Sequence, residues 1–280
     1  MNAIKITNFH KNYNSVEAVK GIDLAVNSGE LFGIIGPDGA GKTTLTRAVC
    51  TLLVPDDGTI FVDGKDVVQN VARIRAILGY MPQRFSLYPD LSVEQNLRFF
   101  ADLFQVPAQE REERLAKLFR FSRLEPFKKR KAEALSGGMK QKLALSCALI
   151  HTPKILVLDE PTLGVDPLSR QEFWQILHKI RDEGSTILVT TSYMDEAEQC
   201  DRVALFFKGE IVGLDTPENL KNHYPFPIYK IYGGDLRGLK SFFDTLNTVH
   251  TSQLFGDALH VSFAEEPSLT DWKAWQAKSG

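Results

Sequence analysis

The segment GPDGAGKTT at residues 36–44 constrains the fold of this chain more than any other part of its sequence. It follows an apolar run at residues 31–35 and leads into Leu45, Ala48 and Val49, which recur at helical spacing. A strand, a glycine-rich loop and a helix in this order form the frame of a phosphate-binding loop, although the same pattern can also be a plain strand-to-helix turn. The sequence therefore predicts a nucleotide site in an α/β domain.

The residue types of this loop suit a nucleotide and its magnesium ion. Glycines let successive backbone N–H groups curl around phosphates, Lys42 brings a point charge to the terminal phosphates, and Thr43 offers a hydroxyl to Mg²⁺. Thr44 adds a second hydroxyl. We predict that the whole loop binds the nucleotide, namely Gly36, Pro37, Asp38, Gly39, Ala40, Gly41, Lys42, Thr43 and Thr44.

Two acidic residues follow a second apolar run. Residues 155–158 read ILVL, as expected for a strand buried on both faces, and Asp159 and Glu160 come directly after them. Ligands of open α/β sheets bind outside the carboxyl ends of the strands. We therefore predict that Asp159 holds Mg²⁺, directly or through water, and that Glu160 faces the γ-phosphate, where it can orient or deprotonate the attacking water.

A second motif, LSGGM at residues 135–139, precedes apolar residues at helical spacing. In one interpretation Ser136 is an N-cap, and Gly137 and Gly138 are flexible residues beside it. An exposed helix N-terminus with serine and glycine also binds anions, so the motif can instead hold a γ-phosphate. The chain's own phosphate-binding loop needs no second phosphate site. The motif becomes intelligible if the phosphate belongs to another nucleotide-binding domain.

With these motifs in this order, the chain resembles the ATP-binding subunits of ABC transporters over about residues 3–222. The combination of LSGGMKQK with a Walker A loop upstream and a Walker B strand downstream is very specific. The resemblance implies an α/β P-loop NTPase with a mixed or parallel central sheet, an antiparallel β subdomain and a helical subdomain. It also implies ATP and Mg²⁺ as cofactors, a dimer with each ATP between one Walker A loop and the opposite LSGG, and transmembrane permease subunits.

Three more positions match functional residues of the family. Tyr13 matches the aromatic residue that stacks on adenine, Gln83 matches the glutamine that joins the magnesium shell to the helical subdomain, and Asp166 matches the loop that crosses the domain interface. Each also has an ordinary interpretation from the residues alone. Tyr13 can be a half-buried aromatic, Gln83 a solvated turn residue, and Asp166 the N-cap of the helix that follows it.

Two positions depart from the family pattern. Asp38 stands where asparagine is usual, and because both residues tolerate unusual backbone angles we expect nucleotide binding to survive. Ser192 stands where the family has its switch histidine, a catalytic position. A serine hydroxyl cannot span the same gap, which predicts slow hydrolysis. The second ATP-binding domain is then an identical chain or, as the serine favours, a different chain or the other half of a tandem chain.

Composition favours a chain that reaches a membrane through its partners. Hydrophobic residues make up 43% and the net charge is −2, but there is no run of eighteen apolar residues and no signal-peptide pattern. We expect a cytoplasmic protein, peripheral on the inner face of the cell membrane. The cationic run at residues 128–131 favours a solvated surface over a nucleic-acid site, so no nucleic acid is expected as a partner. Cys50, Cys147 and Cys200 lack metal-ligand spacing and are expected to be reduced.

Changes in the hydrophobic period predict the domain organisation. Alternation at residues 4–9, 19–26 and 59–62 indicates antiparallel β-structure, and helical periods indicate a helical subdomain at about residues 84–150. Pro225 and Pro227 mark a boundary between an ABC domain, residues 1–224, and a small α+β appendage, residues 225–280, with the order strand, helix, strand, helix. The apolar loop at residues 85–88 lies where the family docks its membrane subunit.

The segments GYMPQ, LSGGMKQ and MDEAE are most similar to those of drug-efflux-type exporters. We predict an ATP-binding and ATP-hydrolysing subunit that drives an exporter of drugs or other small molecules. The alternative is a soluble ABC-type ATPase without a transporter, acting in DNA repair or translation. The interval between Walker A and LSGG has no room for the coiled coils of the repair type. A P-loop kinase or GTPase would leave LSGGM unexplained.

Overall fold

The computed structural model describes residues 2–84 and 86–279. The chain divides into two compact units after Pro217, and each unit has its own hydrophobic core. The predicted boundary lay after residue 224, at the prolines. The structure places it earlier because the helix at Pro217–Asn222 buries none of its residues and so contributes nothing to the first core.

Within the described residues, the first unit contains ten strands and six complete α-helices, and a seventh begins at its last residue. In chain order, its strands are β1 (Asn2–Tyr13), β2 (Val16–Asn27), β3 (Leu31–Ile35), β4 (Asp57–Val62), β5 (Lys65–Asp66), β6 (Leu78–Met81), β7 (Ile155–Asp159), β8 (Thr186–Thr191), β9 (Arg202–Phe207) and β10 (Glu210–Asp215). Its helices are α1 (Lys42–Val49), α2 (Val71–Arg75), α3 (Val93–Leu103), α4 (Ala108–Ser122), α5 (Gly137–Leu149), α6 (Pro167–Asp182) and α7 (Pro217–Asn222), the last of which crosses the boundary.

Two sheets make up the β-structure of this unit. The antiparallel sheet has the strand order β2-β1-β4-β5, and its buried positions follow the alternation expected for a sheet with one wet face. The other sheet has the order β10-β9-β3-β8-β7-β6, in which only β10 runs antiparallel to its neighbour. Strands β3, β7 and β8 are buried along their whole length, which explains why they lack polar alternation.

The parallel sheet positions the candidate site. Strands β3, β8, β7 and β6 are neighbours and run in the same direction, so their carboxyl ends meet at one edge. The residues that follow these four ends are the glycine loop, Ser192, Glu160 and the turn that carries Gln83. Segments that are far apart in the sequence are thereby brought to one edge of the sheet.

The helical part of the first unit has an apolar cluster of its own. This cluster is built from buried residues between Leu87 and Ile150 and includes side chains of α3, α4 and α5. Strand β6, which precedes it, was not predicted. Its interior glycine weakens the strand pattern, yet Gly79 is required because a Cβ there would lie 2.6 Å from the carbonyl oxygen of Ala148 in α5.

The second unit is a three-stranded antiparallel sheet with two helices. Its elements are β11 (Ile228–Ile231), α8 (Leu236–Phe243), β12 (Val249–Phe255), β13 (Ala258–Phe263) and α9 (Leu269–Ser279), with β13 in the centre of the sheet. Strand β12 was not predicted, because its largely exposed and partly polar residues give no clear apolar alternation. The core of the unit is aromatic, with the ring of Phe263 stacked on Trp275 at a centroid distance of 5.3 Å.

No helix within the described residues is both long and apolar enough to span a bilayer. The three cysteines are buried free thiols, and burial raises the pKa of each thiol above its ordinary value.

Candidate nucleotide-binding site

The glycine loop requires glycine for reasons of space and backbone conformation. A Cβ on Gly36 would lie 2.1 Å from the carbonyl oxygen of Phe206, and one on Gly41 would lie 2.4 Å from that of Ala18. Gly41 also has a left-handed φ of 106° and occupies the N-cap of α1 without a side-chain cap. The first N–H groups of α1 therefore remain available to an anion, which the positive end of the helix dipole favours.

Lys42 is buried at the start of α1 with its charge inside the loop. Its Nζ donates to the carbonyl oxygens of Gly36 at 2.7 Å and Pro37 at 3.0 Å. It also lies 2.8 Å from Oε1 of Glu160, and both side chains of this ion pair are about 5% exposed or less. Lys42 of the glycine loop and Glu160 after β7 therefore lie in direct contact.

Asp159 lies at the end of β7 between two threonines. Its Oδ1 accepts hydrogen bonds from Thr43 at 3.1 Å and from Thr190 at 2.8 Å. Burial raises the pKa of this carboxyl above its ordinary value, against the hydrogen bonds from the two threonines, which lower it. A carboxylate in such a place is costly unless a cation compensates it.

The residues around Asp159 fit a magnesium ion. Its Oδ2 is buried and has no hydrogen-bond partner among the described residues, and the Thr43 hydroxyl is already beside Oδ1. Carboxylate, hydroxyl and amide oxygens are ligands that Mg²⁺ accepts, and it usually retains several waters beside one or two carboxylates. Thr43 and Asp159 would hold the ion, with Gln83 at the mouth of the same cleft.

Mg²⁺ is expected to raise the ATP affinity of the wild-type chain. We expect Asp159→Asn to reduce this increase in affinity by about tenfold or more, because the amide keeps the shape of the carboxyl but removes its charge. The measurement is ATP affinity by calorimetry, with Mg²⁺ and with EDTA. Asp38→Asn is a matched control, since Asp38 lines the same cleft, whereas the hydrogen bonds of Asp159 are with Thr43 and Thr190. An equal response of both variants to EDTA would contradict the assignment.

Glu160 is fixed by contacts at its backbone and at both carboxylate oxygens. Its N–H donates to Oγ1 and to the carbonyl oxygen of Thr190, at 2.9 and 3.1 Å. Its Oε1 contacts Lys42, and its Oε2 accepts a hydrogen bond from the hydroxyl of Ser192 at 3.3 Å. Glu160 adopts a left-handed φ of 48°, a conformation uncommon outside glycine and typical of functional sites.

One cleft gathers most of the sequence-predicted residues. Tyr13 at its rim is 43% exposed, so its ring is free to stack on a planar ligand. Gln83 and Glu160 line the same cleft, which has a volume of about 330 Å³. Its remaining lining residues are Ala18, Asp38, Gly39, Ala40, Gly41, Lys42, Thr43 and Thr44. Ser192 touches this group through Glu160.

The LSGGM residues lie at the N-terminus of α5 and are not among the residues that line that cleft. Ser136 caps α5 by accepting a hydrogen bond from the N–H of Met139. A Cβ on Gly138 would lie 2.6 Å from the side chain of Ser169, so glycine is needed where α5 meets the first turn of α6. Asp166 caps α6 through the N–H of Ser169 at 2.9 Å, and this hydrogen bond lowers the pKa of its carboxyl.

Two residues that organise the acids were not predicted from the sequence. Thr190 contacts Asp159 and Glu160 together, and Glu196 accepts a hydrogen bond from Thr162 at 2.7 Å, two residues after Glu160. Thr190 lies beside Asp159 because the two residues pair in the parallel sheet. No local sequence pattern indicates the contact of Thr190 with Asp159. Glu196, in contrast, belongs to the MDEAE segment, which is similar to a segment of drug-efflux-type exporters.

The fold and the site define an α/β P-loop NTPase. A family model described as ABC transporter matches residues 19–163, just over half of the chain. The chain belongs to the ABC transporter family, in its ATP-binding component.

Two curated relatives illustrate the similarity. The probable multidrug ABC transporter ATP-binding protein YbhF of Escherichia coli (strain K12) is 50% identical over 203 residues, which are 72% of this chain and 35% of that protein. The chain therefore spans about a third of the length of that relative. The Nod factor export ATP-binding protein I of Burkholderia orbicola (strain AU 1054) is 38% identical over 271 residues, 95% of this chain and 88% of that protein.

Solved ATP-binding cassettes have the same fold. CbiO1 of Clostridium perfringens, described as part of the ABC transporter complex cbiONQ, matches with a TM-score of 0.73 and 29% identity, over 79% of this chain and 91% of that chain. The cassette MJ0796, solved as a dimer in a post-hydrolysis state bound to ADP and Pi, matches with a TM-score of 0.70 and 27% identity, over 76% and 98% of the two chains.

Proposed function

We propose that this protein binds and hydrolyses ATP to drive an ABC exporter, as one half of a nucleotide-sandwich dimer. The observation that carries the proposal is that the glycine-loop cleft and the N-terminus of α5 are separate within one unit. The cleft at Lys42 and Glu160 has its own cation and acid, whereas the capped N-terminus of α5 at Ser136 lies outside it. A second domain that presents its own loop to Ser136 uses both sites.

Each residue of the cleft has a distinct task in this function. The α1 N–H groups and Lys42 hold the β- and γ-phosphates, and Tyr13 stacks on the base. Asp159, Thr43 and Gln83 would hold Mg²⁺, which would supply positive charge to the phosphate oxygens. Glu160 would orient the attacking water and accept its proton, because its carboxylate lies 2.8 Å from Lys42, the cation of the phosphate-binding loop.

Ser192 makes an asymmetric dimer the better fit. Its hydroxyl reaches Glu160 at 3.3 Å, which binds it to the acid rather than extending it toward a phosphate. The cleft of this chain then lacks one donor for the charge that develops on the γ-phosphate. Ser136, Gly137 and Gly138 are intact and can complete a competent cleft on another domain. The partner is a different chain or a tandem half that supplies the faster cleft.

The surface beside the turn after β6 is the proposed docking site for a permease. The apolar loop of residues 85–88 was predicted to dock as a whole; Phe85 lies outside the described residues, and Leu87 is buried in the helical cluster. Tyr88, Phe99 and Leu103 are instead exposed by 45%, 37% and 60%. Tyr88 packs edge-on against Phe99, and Leu103 is one turn further along α3. An apolar surface of this kind is typical of a protein interface.

We expect Tyr88→Asp to preserve ATP binding and thermal stability while reducing copurification of membrane-spanning proteins, because an unpaired charge at an interface costs several kcal/mol. The measurement is pull-down from detergent-solubilised membranes of the native host, followed by identification of the captured proteins. Leu87→Asp serves as the contrast and is expected to lower the melting temperature, since its carboxylate would be buried. Equal capture of membrane proteins by wild type and Tyr88→Asp would argue against this surface. Absence of membrane proteins from the wild-type sample would favour the soluble ABC-type ATPase.

The relatives support the exporter class, since one is named as a probable multidrug transporter component and another as a Nod factor export component. The proposed location is the inner face of the cell membrane, reached through permease subunits.

A further inference from the structure

We propose that Arg170 is a positioning residue for ATP hydrolysis, which holds the Ser192 segment against Glu160 by stacking on Tyr193. This inference rests on the proposed function and concerns the same cleft. Arg170 is not among the residues that line the cleft. Its role follows from three sets of contacts that lead from α6 to the acid.

Two hydrogen bonds tie the loop of Glu160 to the segment of Ser192. The hydroxyl of Thr162 donates to Oε1 of Glu196 at 2.7 Å, and both side chains are almost fully buried. The hydroxyl of Ser192 donates to Oε2 of Glu160 at 3.3 Å. Because Thr162 follows Glu160 by two residues and Glu196 follows Ser192 by four, the two bonds close a ring through the backbone. A shift of the turn at Glu196 therefore moves Ser192 relative to the acid.

Arg170 holds that turn from the side of α6. Its guanidinium lies 4.0 Å above the ring of Tyr193, the residue next to Ser192. Its Nη1 is 3.7 Å from Asp195 and its Nε is 3.7 Å from Oε1 of Glu196. A planar cation stacks on an aromatic face more effectively than an ammonium group does, and the stack fixes an orientation as well as a distance.

The contact between Arg170 and Glu196 can still tighten. Oε2 of Glu196 and Nε of Arg170 are both buried, and neither has a hydrogen-bond partner among the described residues. A buried carboxylate needs a compensating cation, and Arg170 is the cation beside it. The distance of 3.7 Å from Nε of Arg170 to Oε1 of Glu196 exceeds hydrogen-bond distance, so a movement of roughly half an ångström would form that bond.

The position of Arg170 on α6 connects it to the interface loop. Its backbone N–H donates to the carbonyl oxygen of Asp166 at 2.9 Å, so one helical turn joins the two residues rigidly. Asp166 is the residue proposed to cross the dimer interface. Contact with the second domain at Asp166 would then move Arg170, Tyr193 and Ser192 together.

The test is a mutational cycle on the full chain at concentrations where ATP-bound domains pair. Single-turnover hydrolysis of labelled ATP resolves a slow site, and calorimetry gives ATP affinity separately. We expect Arg170→Met and Tyr193→Leu each to lower the hydrolysis rate by about 10- to 100-fold, the effect of misplacing a reacting group by about an ångström. ATP affinity should stay unchanged. Tyr193→Phe should retain the wild-type rate, because it keeps the ring.

The double variant Arg170→Met/Tyr193→Leu should be no slower than Arg170→Met alone, since loss of the guanidinium already removes the stack on Tyr193. Arg181→Met is the matched control: it lies on the same helix, its ion pairs are with Asp182 and Asp201, and its rate should remain near that of wild type. If Arg170→Met does not fold, the comparison of Tyr193→Leu with Tyr193→Phe decides.

A wild-type rate in Arg170→Met and Tyr193→Leu, or additive losses in the double variant, would overturn this inference alone. Failure of the wild-type chain to bind ATP would instead overturn the proposed function, and the inference with it.

Discussion

Glu160→Gln is expected to bind ATP as the wild-type chain does while losing about 10²- to 10⁴-fold in hydrolysis rate. The amide keeps the volume of the side chain and can still contact Lys42, but it cannot accept a proton from water. With hydrolysis blocked, ATP should accumulate between paired domains. The measurements are single-turnover hydrolysis and the ATP-dependent molecular mass by light scattering, with the partner domain present.

Lys42→Ala is the contrasting variant. It removes the buried cation that contacts Gly36, Pro37 and Glu160, so ATP binding itself should weaken and no ATP-dependent pair should form. Unchanged hydrolysis in Glu160→Gln would remove Glu160 from the role of base. A loss of ATP affinity equal to that of Lys42→Ala would show that Glu160 acts in binding and not in the chemical step.

Ser192→His is expected to raise the hydrolysis rate of the isolated chain by about 10²- to 10³-fold, because it restores one preorganised donor to the developing charge. The imidazole replaces a hydroxyl that donates to Glu160 at 3.3 Å, and its ring N–H extends further from the backbone than that hydroxyl does. The wild-type chain alone should bind ATP and hydrolyse it slowly, and the partner domain should raise the rate further.

Ser192→Ala is the control for Ser192→His. Both variants remove the hydrogen bond from Ser192 to Glu160, but only histidine adds a new donor. Because the Ser192 hydroxyl is the contact through which the Ser192 segment meets Glu160, Ser192→Ala should lower the slow rate about as far as Tyr193→Leu does, by about 10- to 100-fold, whereas Ser192→His should raise it. Brisk hydrolysis by the wild-type chain, unaffected by Ser192→His, would refute the asymmetric dimer.

The sequence by itself determined the class of the fold and the identity of the chemical groups. Buried parallel strands need uninterrupted apolar runs, and β3 and β7 carry them, so the positions of the glycine loop and of Asp159 could be predicted. The glycines of the loop were predicted as phosphate contacts, and the structure adds a second reason for Gly36 and Gly41, since a Cβ there would lie 2.1 and 2.4 Å from the carbonyl oxygens of Phe206 and Ala18.

Weak or short elements escaped this reasoning. Strand β6 contains Gly79, whose necessity comes from α5, and β12 is largely exposed, so neither shows a period that can be recognised locally. Leu87 appeared to belong to an apolar docking loop, but it is buried under the helices. In each case the deciding contact is with a segment distant in the sequence.

Only the tertiary structure decided how the site is assembled. The pairing of β7 with β8 places Thr190 beside Asp159, the parallel order of the sheet brings Ser192 to Glu160, and the packing of α6 lays Arg170 over Tyr193. Hydrophobic period specifies which face of an element is buried, but it carries no information about which neighbour covers that face. The chemistry of this protein could therefore be read from its residues, whereas the connections among them required the packed fold.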